Sequence, residues 1–387
     1  MKPKRIYLDY AASTPVDSAV IKAMAPYFAV EFGNPGSLHS FGQRALGAVD
    51  KAREVIAKNL DTDFRNVVFT GSATEANNLA LRGVVKYFLQ SRTGKNISPK
   101  IIITSIEHES VLDTARDLEK DGVEVVYLPV DRNGVVEIKK VREALDERTV
   151  LVSVMCVNNE IGSVQLIKEI SKTIADFRKE RAYPLFHTDA AQALNYFDCS
   201  VGKLGVDIMT LSGQKICGPK GIGALYARNP KMLSPIITGG GQEFGLRSGT
   251  ENVPAIVGFG KAVELAVRDR DRNFREVKLL KDRFWRGLKK IYPPAEINGD
   301  AGAPHILNVH FPTEYAGDLL IKLDIAGVAA SAGSACSARS FSPSHVLQAL
   351  GLSGERVRGS LRFSFGKAAS KSEIDTALVI LKGVLNR

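Results

Sequence analysis

Val206-Asp207-Ile208-Met209-Thr210-Leu211 is a short apolar run that leads directly into Ser212-Gly213-Gln214-Lys215. Its length and its bounding residues suit a buried strand better than a helix. The same arrangement recurs outward from it. Residues 66–70 lead into Gly71-Ser72-Ala73-Thr74, 101–106 into Glu107-His108, 150–157 into Asn158-Asn159-Glu160, and 184–188 into Asp189-Ala190-Ala191-Gln192. With residues 123–130 and 223–227 there are seven candidate strands, and helix-like segments at 75–89, 110–120 and 167–180 lie between them. Alternation of this kind predicts an α/β domain with a mostly parallel seven-stranded sheet covered by helices. Strands that read as near-continuous apolar runs fit burial on both faces.

The pattern changes after about residue 254. A long charged helical stretch spans 261–291, Pro293-Pro294 and a glycine-rich break follow, and then come shorter elements at 306–311, 315–325, 343–350, 360–365 and 371–385. These predict a smaller α+β C-terminal domain. The division expected is an N-terminal arm over 1–15 packed near the small domain, a large domain over 16–258 and the small domain over 259–387.

Composition removes several function classes. Hydrophobic residues make up 44% of the chain, an ordinary value for a globular protein, and the net charge is +10. No dense Lys/Arg run carries interleaved aromatics, so nucleic acid is not an expected partner. No apolar run approaches the roughly 20 residues of a membrane helix, and the first residues form no secretory apolar core. The four cysteines, Cys156, Cys199, Cys217 and Cys336, form no CxxC pair and have no histidine at ligand spacing, so no metal is expected. Sparse cysteines fit a reducing compartment, and the cytoplasm is the expected location.

In open α/β sheets, ligands bind outside the carboxyl ends of the strands. Five strand ends here deliver a hydroxyl, an imidazole, an amide, a carboxylate with an amide, and an amine to one crevice. Each has a plainer reading. Gly71-Ser72-Ala73-Thr74 is either a turn with an N-cap or an anion site at a helix N-terminus. His108 is structural or catalytic, Asp189 caps a helix beginning at Ala190 or serves a ligand, and Asn159 satisfies a turn or a ligand. Lys215 is a surface lysine or a reactive amine. The recurrence favours a site, and the set has a specific chemistry. A lysine forms a Schiff base with an aldehyde cofactor. Pyridoxal phosphate is such a cofactor, and it requires an acidic partner for its ring nitrogen, a phosphate seat and a flat neighbour. Lys215, Asp189, Thr74 with Ser212, and His108 can fill those roles.

A second constellation is Ser331-Ala332-Gly333-Ser334-Ala335-Cys336-Ser337-Ala338-Arg339-Ser340, which is built almost wholly of small residues and reads as a loop. Cys336 is either an incidental thiol or a nucleophile carried to the crevice, with Arg339 favouring its thiolate. The other three cysteines read as buried small hydrophobes. Arg362 ends another candidate strand, where it makes a surface ion pair or grips a carboxylate. Asn34, in Gly33-Asn34-Pro35-Gly36-Ser37, reads as a turn residue.

Together these residues closely resemble the cysteine desulfurases, within the class-V aminotransferase-like branch of the fold-type-I pyridoxal-phosphate enzymes. The resemblance runs from Tyr7-Leu8-Asp9-Tyr10-Ala11-Ala12 to near Ile374. It rests on Phe32-Gly33-Asn34-Pro35, Ala73-Thr74-Glu75-Ala76-Asn77-Asn78, Val157-Asn158-Asn159-Glu160-Ile161-Gly162, His187-Thr188-Asp189-Ala190-Ala191-Gln192, Gly218-Pro219-Lys220-Gly221, Arg247-Ser248-Gly249-Thr250 and Gly333-Ser334-Ala335-Cys336. The loop around Cys336 is similar to the subgroup with an extended cysteine loop.

The resemblance implies conversion of L-cysteine to L-alanine, with the sulfur passing to Cys336 as a persulfide and then to an acceptor protein such as an iron–sulfur scaffold. It implies that Lys215 bonds the cofactor, Asp189 partners the pyridine nitrogen, and Gln192 and Asn159 address the ring hydroxyl. His108 stacks on the ring and moves protons, and Ala73, Thr74, Ser212 and Gln214 seat the phosphate. Thr250 reaches the phosphate of a second subunit in a homodimer with shared sites, and Asn34 with Arg362 binds the substrate carboxylate. The family usually carries His where this chain has Gln214, which donates to a phosphate but does not titrate near neutrality, so cofactor affinity is expected to change more than the reaction. Gly71-Ser72 also inverts the common order. The chain ends soon after its last predicted helix, without the longer tail that some relatives use to bind a scaffold. Two other readings stay open on the residues: a selenocysteine lyase or another class-V lyase or aminotransferase, and a silent cofactor-binding scaffold protein.

Overall fold

The computed structural model describes residues 5–91, 98–299, 302–333 and 343–385. Strand β1 (Ile6–Tyr7) belongs to the N-terminal arm. Strands β2 (Val67–Thr70), β3 (Lys100–Thr104), β4 (Glu124–Leu128), β5 (Thr149–Ser153), β6 (Leu185–Asp189), β7 (Ile208–Ser212) and β8 (Gly223–Ala227) form one seven-stranded sheet in the order β2-β8-β7-β6-β5-β3-β4. Only β8 is reversed: it pairs antiparallel with β2 and β7, while the other pairings are parallel. This is the mostly parallel sheet the sequence predicts.

Side chains alternate across each strand. Val67 and Phe69 of β2 enter one hydrophobic cluster, with helices Ser40–Leu60 and Val253–Arg268, and Val68 enters the other, with helix Ala73–Ser91. Ile102 and its neighbours Ile101 and Ile103 in β3 split in the same way. Each such side chain contributes about 1.5–3 kcal/mol by burial, which explains why the strands read as apolar throughout.

A third core lies under a three-stranded antiparallel sheet of β9 (Glu296–Ile297), β10 (Ile306–His310) and a later strand, β12 (Ser360–Ser364), packed on helices Arg270–Ile291 and Lys371–Leu385. The intervening β11 (Val328–Ala329) pairs in parallel with β1, so the arm is stitched to the small domain. Two expectations need correction. The charged stretch 261–291 is not one helix but parts of two, Val253–Arg268 and Arg270–Ile291, which meet at Asp269. The first runs unbroken past residue 259, and Phe259, Ala262, Val263 and Ala266 stay in the large-sheet core, so the step between cores falls after a boundary at 259.

Candidate functional site at the strand ends

The carboxyl ends of β2, β3, β6 and β7, with the segment after β5, enclose a pocket lined by Ala73, Thr74, His108, Asn159, Asp189, Gln192, Ser212, Gln214, Lys215 and Arg362. All ten come from the residues singled out by sequence. Ala11, Ala12, Ser72, Ser110, Met155, Val157 and Ala191 complete the lining.

Lys215 sits on the single helical turn Gly213–Lys215 that ends β7. Its Nζ donates to the carbonyls of Ala11 and Ala12, both at 2.7 Å. Asp189 is nearly buried, and its two oxygens are fixed separately. Oδ2 accepts from Asn77 Nδ2 at 2.8 Å, and Oδ1 accepts from the Ala191 amide at 2.9 Å. No helix begins at Ala190, because consecutive turns follow β6 instead, so the helix-cap reading of Asp189 falls away. Asn77, fully buried in helix Ala73–Ser91, also donates to Ser110 Oγ.

His108 is structural and pocket-lining at once. It is the N-cap of helix Glu109–Lys120, and its Nδ1 accepts from the Ser110 amide at 3.0 Å. Since Nδ1 is the acceptor there, a neutral ring carries its proton on Nε2. Gln192 donates to the Ala11 carbonyl at 2.9 Å and lies 3.1 Å from His305 Nε2 through its Oε1. Burial pulls the His305 pKa down to about 3, so this ring is neutral and donates from Nε2. Asn158 is fully buried and shapes the turn behind the pocket. Its Oδ1 accepts from the amides of Glu160 and Ile161, and its Nδ2 donates to the Ile106 carbonyl, which leaves Asn159 facing inward. His345 Nε2 donates to the Glu107 carbonyl at 2.9 Å and Ser344 Oγ to Glu160 Oε2 at 2.5 Å, so helix His345–Ala349 starts against this wall.

The donor set suits pyridoxal phosphate. Helix Ala73–Ser91 opens at the pocket, and the amides of a first helical turn have no partner inside the helix. Ser72 Oγ accepts from Glu75 N, which caps the turn without occupying it. Gly223 lets β8 pass directly behind this turn, since a Cβ there would lie 2.6 Å from the Ser72 carbonyl carbon. An anion seat, a lysine amine, a fixed carboxylate and an imidazole thus share one cavity.

Two predicted residues among the described ones lie elsewhere. Asn34 is exposed, and its Oδ1 accepts from Gly36 N at 2.9 Å in the turn that its sequence suggests. Thr250 is exposed beside a separate hollow with Arg247 and Glu251. Cys336 lies outside the described residues; the other three cysteines are buried, as expected. Sequence reading missed Asn77, Ser110, His305 and the arm residues Asp9, Ala11 and Ala12 as parts of the site. Asn77 sits inside a quoted motif, whereas nothing local marks His305.

The fold and this constellation define a class of enzyme: residues 6–377 match the class-V aminotransferase family, and the chain belongs to it. The chain is 42% identical over 383 residues to "Cysteine desulfurase IscS 1" of Archaeoglobus fulgidus, an alignment that covers 98% of this chain and 97% of that protein. Among solved structures it is similar to "NIFS-LIKE PROTEIN", with a TM-score of 0.91, 35% identity and 99% of both chains covered. It is also similar to "SspA in complex with cysteine", with a TM-score of 0.80, 37% identity, and 93% and 99% of the two chains covered.

Proposed function

We infer that the protein is a pyridoxal-phosphate-dependent cysteine desulfurase that converts L-cysteine to L-alanine and passes the sulfur to an enzyme cysteine. The observation that carries this reading is the convergence of Lys215, Asp189 and Arg362 on one pocket at the strand ends of a class-V aminotransferase fold.

Lys215 Nζ would bond the cofactor, Asp189 would partner its ring nitrogen, and Ala73, Thr74, Ser212 and Gln214 would hold its phosphate. His108 would flank the ring, and Gln192 and Asn159 would address its hydroxyl. When bound, the cofactor supplies an electron sink for negative charge formed at the substrate Cα. Arg362 would hold the substrate carboxylate. With cofactor and substrate bound, the free amine of Lys215 would take the Cα proton as a base. His108 carries a transferable proton on Nε2. Cys336 attacks the substrate sulfur as a thiolate, a sulfur–sulfur bond forms, the carbon–sulfur bond breaks, and alanine leaves after protonation. The persulfide then passes to an acceptor protein. We place this chemistry in the cytoplasm, where a reducing poise suits a reactive thiol and three buried free ones. A homodimer in which Thr250 completes the partner's phosphate seat fits the exposure of Thr250 and the apolar surface of Phe28, Val30, Phe32, Leu38 and Phe41 around Asn34.

Three variants test the assignment. Lys215→Ala is expected to lose the visible absorbance of the bound cofactor and all turnover. Cys336→Ser is expected to stay yellow and bind cysteine, yet form no protein persulfide. Arg362→Ala is expected to raise KM by roughly 2–3 kcal/mol of lost charge-assisted binding. Alanine and sulfide formation from cysteine plus a reductant is the assay. Wild-type sulfide release from Cys336→Ser would remove the nucleophile assignment.

A further inference from the structure

Arg362 is 1% exposed, and its nitrogens are treated unequally. Nη2 donates to Asp9 Oδ1 and Nη1 to the Asn159 carbonyl, both at 2.8 Å. Nε is buried and has no hydrogen-bond partner among the described residues. Because Arg362 lines the pocket, this is an unused donor on a guanidinium that two other groups already hold in plane.

The position of Asp9 follows from backbone pairing. Ser364, two residues beyond Arg362 on β12, donates its amide to the Leu8 carbonyl at 2.8 Å and bridges Asp9 in parallel. The Ala11 amide donates to Ser364 Oγ at 2.9 Å. The arm therefore lies in register along β12, and its acidic side chain falls beside the arginine. From the other side, Arg362 and Ser331 exchange backbone hydrogen bonds of 2.6 and 3.1 Å. A long side chain held at both its backbone and two of its nitrogens has little rotamer freedom left to lose when a ligand binds.

We propose that Asp9 is a positioning residue: by fixing Nη2 it presents the unpartnered Nε–H of Arg362 as the seat for the α-carboxylate of a small amino-acid substrate. The proposal rests on the desulfurase reading and extends it, since it makes the N-terminal arm part of substrate recognition. Asp9 acts through Arg362 and touches no reacting atom.

The test uses the holoenzyme with Asp9→Ala, Asp9→Asn and Arg362→Ala. L-cysteine gives KM and kcat. L-alanine, which carries the carboxylate and no thiol, and cysteamine, which carries the thiol and no carboxylate, are titrated against the absorbance of the bound cofactor. Asp9→Ala is expected to raise KM for cysteine and weaken L-alanine binding by about tenfold each, the effect of one charge-assisted hydrogen bond, with kcat and cysteamine binding unchanged. Asp9→Asn keeps an acceptor for Nη2 and should restore most of the loss. If Asp9→Ala fails to fold, Asp9→Ser, too short to reach Nη2, carries the same expectation. Wild-type KM and L-alanine affinity in Asp9→Ala, alongside a clear loss in Arg362→Ala, would overturn the role of Asp9 alone. Equal weakening of cysteamine would overturn it too, because a carboxylate seat cannot act on that ligand. An unchanged KM in Arg362→Ala would instead remove the underlying reading of the pocket.

Discussion

Glu107 is a fully buried carboxyl one residue from the imidazole that lines the pocket. It accepts from Thr104 Oγ1 at 2.6 Å and from the Met155 amide at 2.8 Å, which ties the end of β3 to the segment after β5. Burial, opposed by these bonds, pushes its pKa up to about 8 from 4.5. The native state thus keeps a proton that the unfolded chain gives up between those values, so stability falls as pH rises through that window, by at most about 1.4 kcal/mol per pH unit. Glu107→Gln keeps an acceptor for both donors and has no proton to lose. Its melting temperature is expected to exceed that of the wild type at pH 8, with the gap closing by pH 5. A gap that does not vary with pH would clear Glu107. His187 and His305 act with the opposite sign. Burial lowers them to about 4 and about 3, so they stay neutral in the native state and withdraw stability as pH falls below about 6.5.

At the scale of elements, the phosphate seat depends on two pieces passing within contact distance, the first turn of helix Ala73–Ser91 and the start of β8. A Cβ on Gly223 would lie 2.6 Å from the Ser72 carbonyl carbon and 2.8 Å from the Ala73 amide nitrogen, and neither backbone atom can swing aside. Gly223→Ala is therefore expected to displace the turn, at a cost of about 1–3 kcal/mol, and to weaken cofactor binding about tenfold or more with the helical circular dichroism intact. Unchanged cofactor affinity would mean the anion sits elsewhere. Much of this architecture was legible because a strand buried on both faces leaves a short apolar run and then breaks into polar residues. Lys215, Asp189 and His108 were readable for that reason. The same signal overran where the chain stays buried after leaving the sheet. Residues 101–106 and 150–157 read as strands, yet β3 ends at Thr104 and β5 at Ser153, and Val154 to Val157 remain apolar because they form the wall behind the pocket. Asp9, Ala11, Ala12 and His305 were not legible as site residues. They come to the site through pairing of the arm with β12, a contact that spans most of the chain length, and of β10 with β12.

At the scale of the whole molecule, one loop is held far more firmly than its exposure would suggest. In residues 239–252, Gly241, Gly245 and Gly249 take positive φ freely, but Glu243 and Phe244 take left-handed backbone too, and strain at such residues persists only where surrounding contacts enforce it. Here the enforcement is a buried ion pair. Arg53 donates to both oxygens of Glu243 at 2.7 and 2.8 Å, its guanidinium lies between the rings of Phe69 and Phe244, and Glu243 also accepts from the Phe69 amide. Glu75 adds a second tie, accepting from Arg247 Nε at 2.8 Å and from the Gly71 amide at 2.8 Å. Such rigidity presents Thr250 outward from its own pocket and links its loop to the phosphate turn. If Thr250 serves the cofactor of a second subunit, cofactor affinity and association must fall together. Leu38, 93% exposed, and Phe32 lie on the apolar surface that would cover a partner. The double variant Phe32→Asp, Leu38→Asp is expected to sediment as a monomer, because a pair of carboxylates cannot be buried unpaired at an interface. It should also weaken cofactor binding at least about tenfold through the lost phosphate contact. Equilibrium sedimentation and absorbance titration on the same sample decide the matter, and a monomer that binds pyridoxal phosphate as tightly as the wild type would end the shared-site reading.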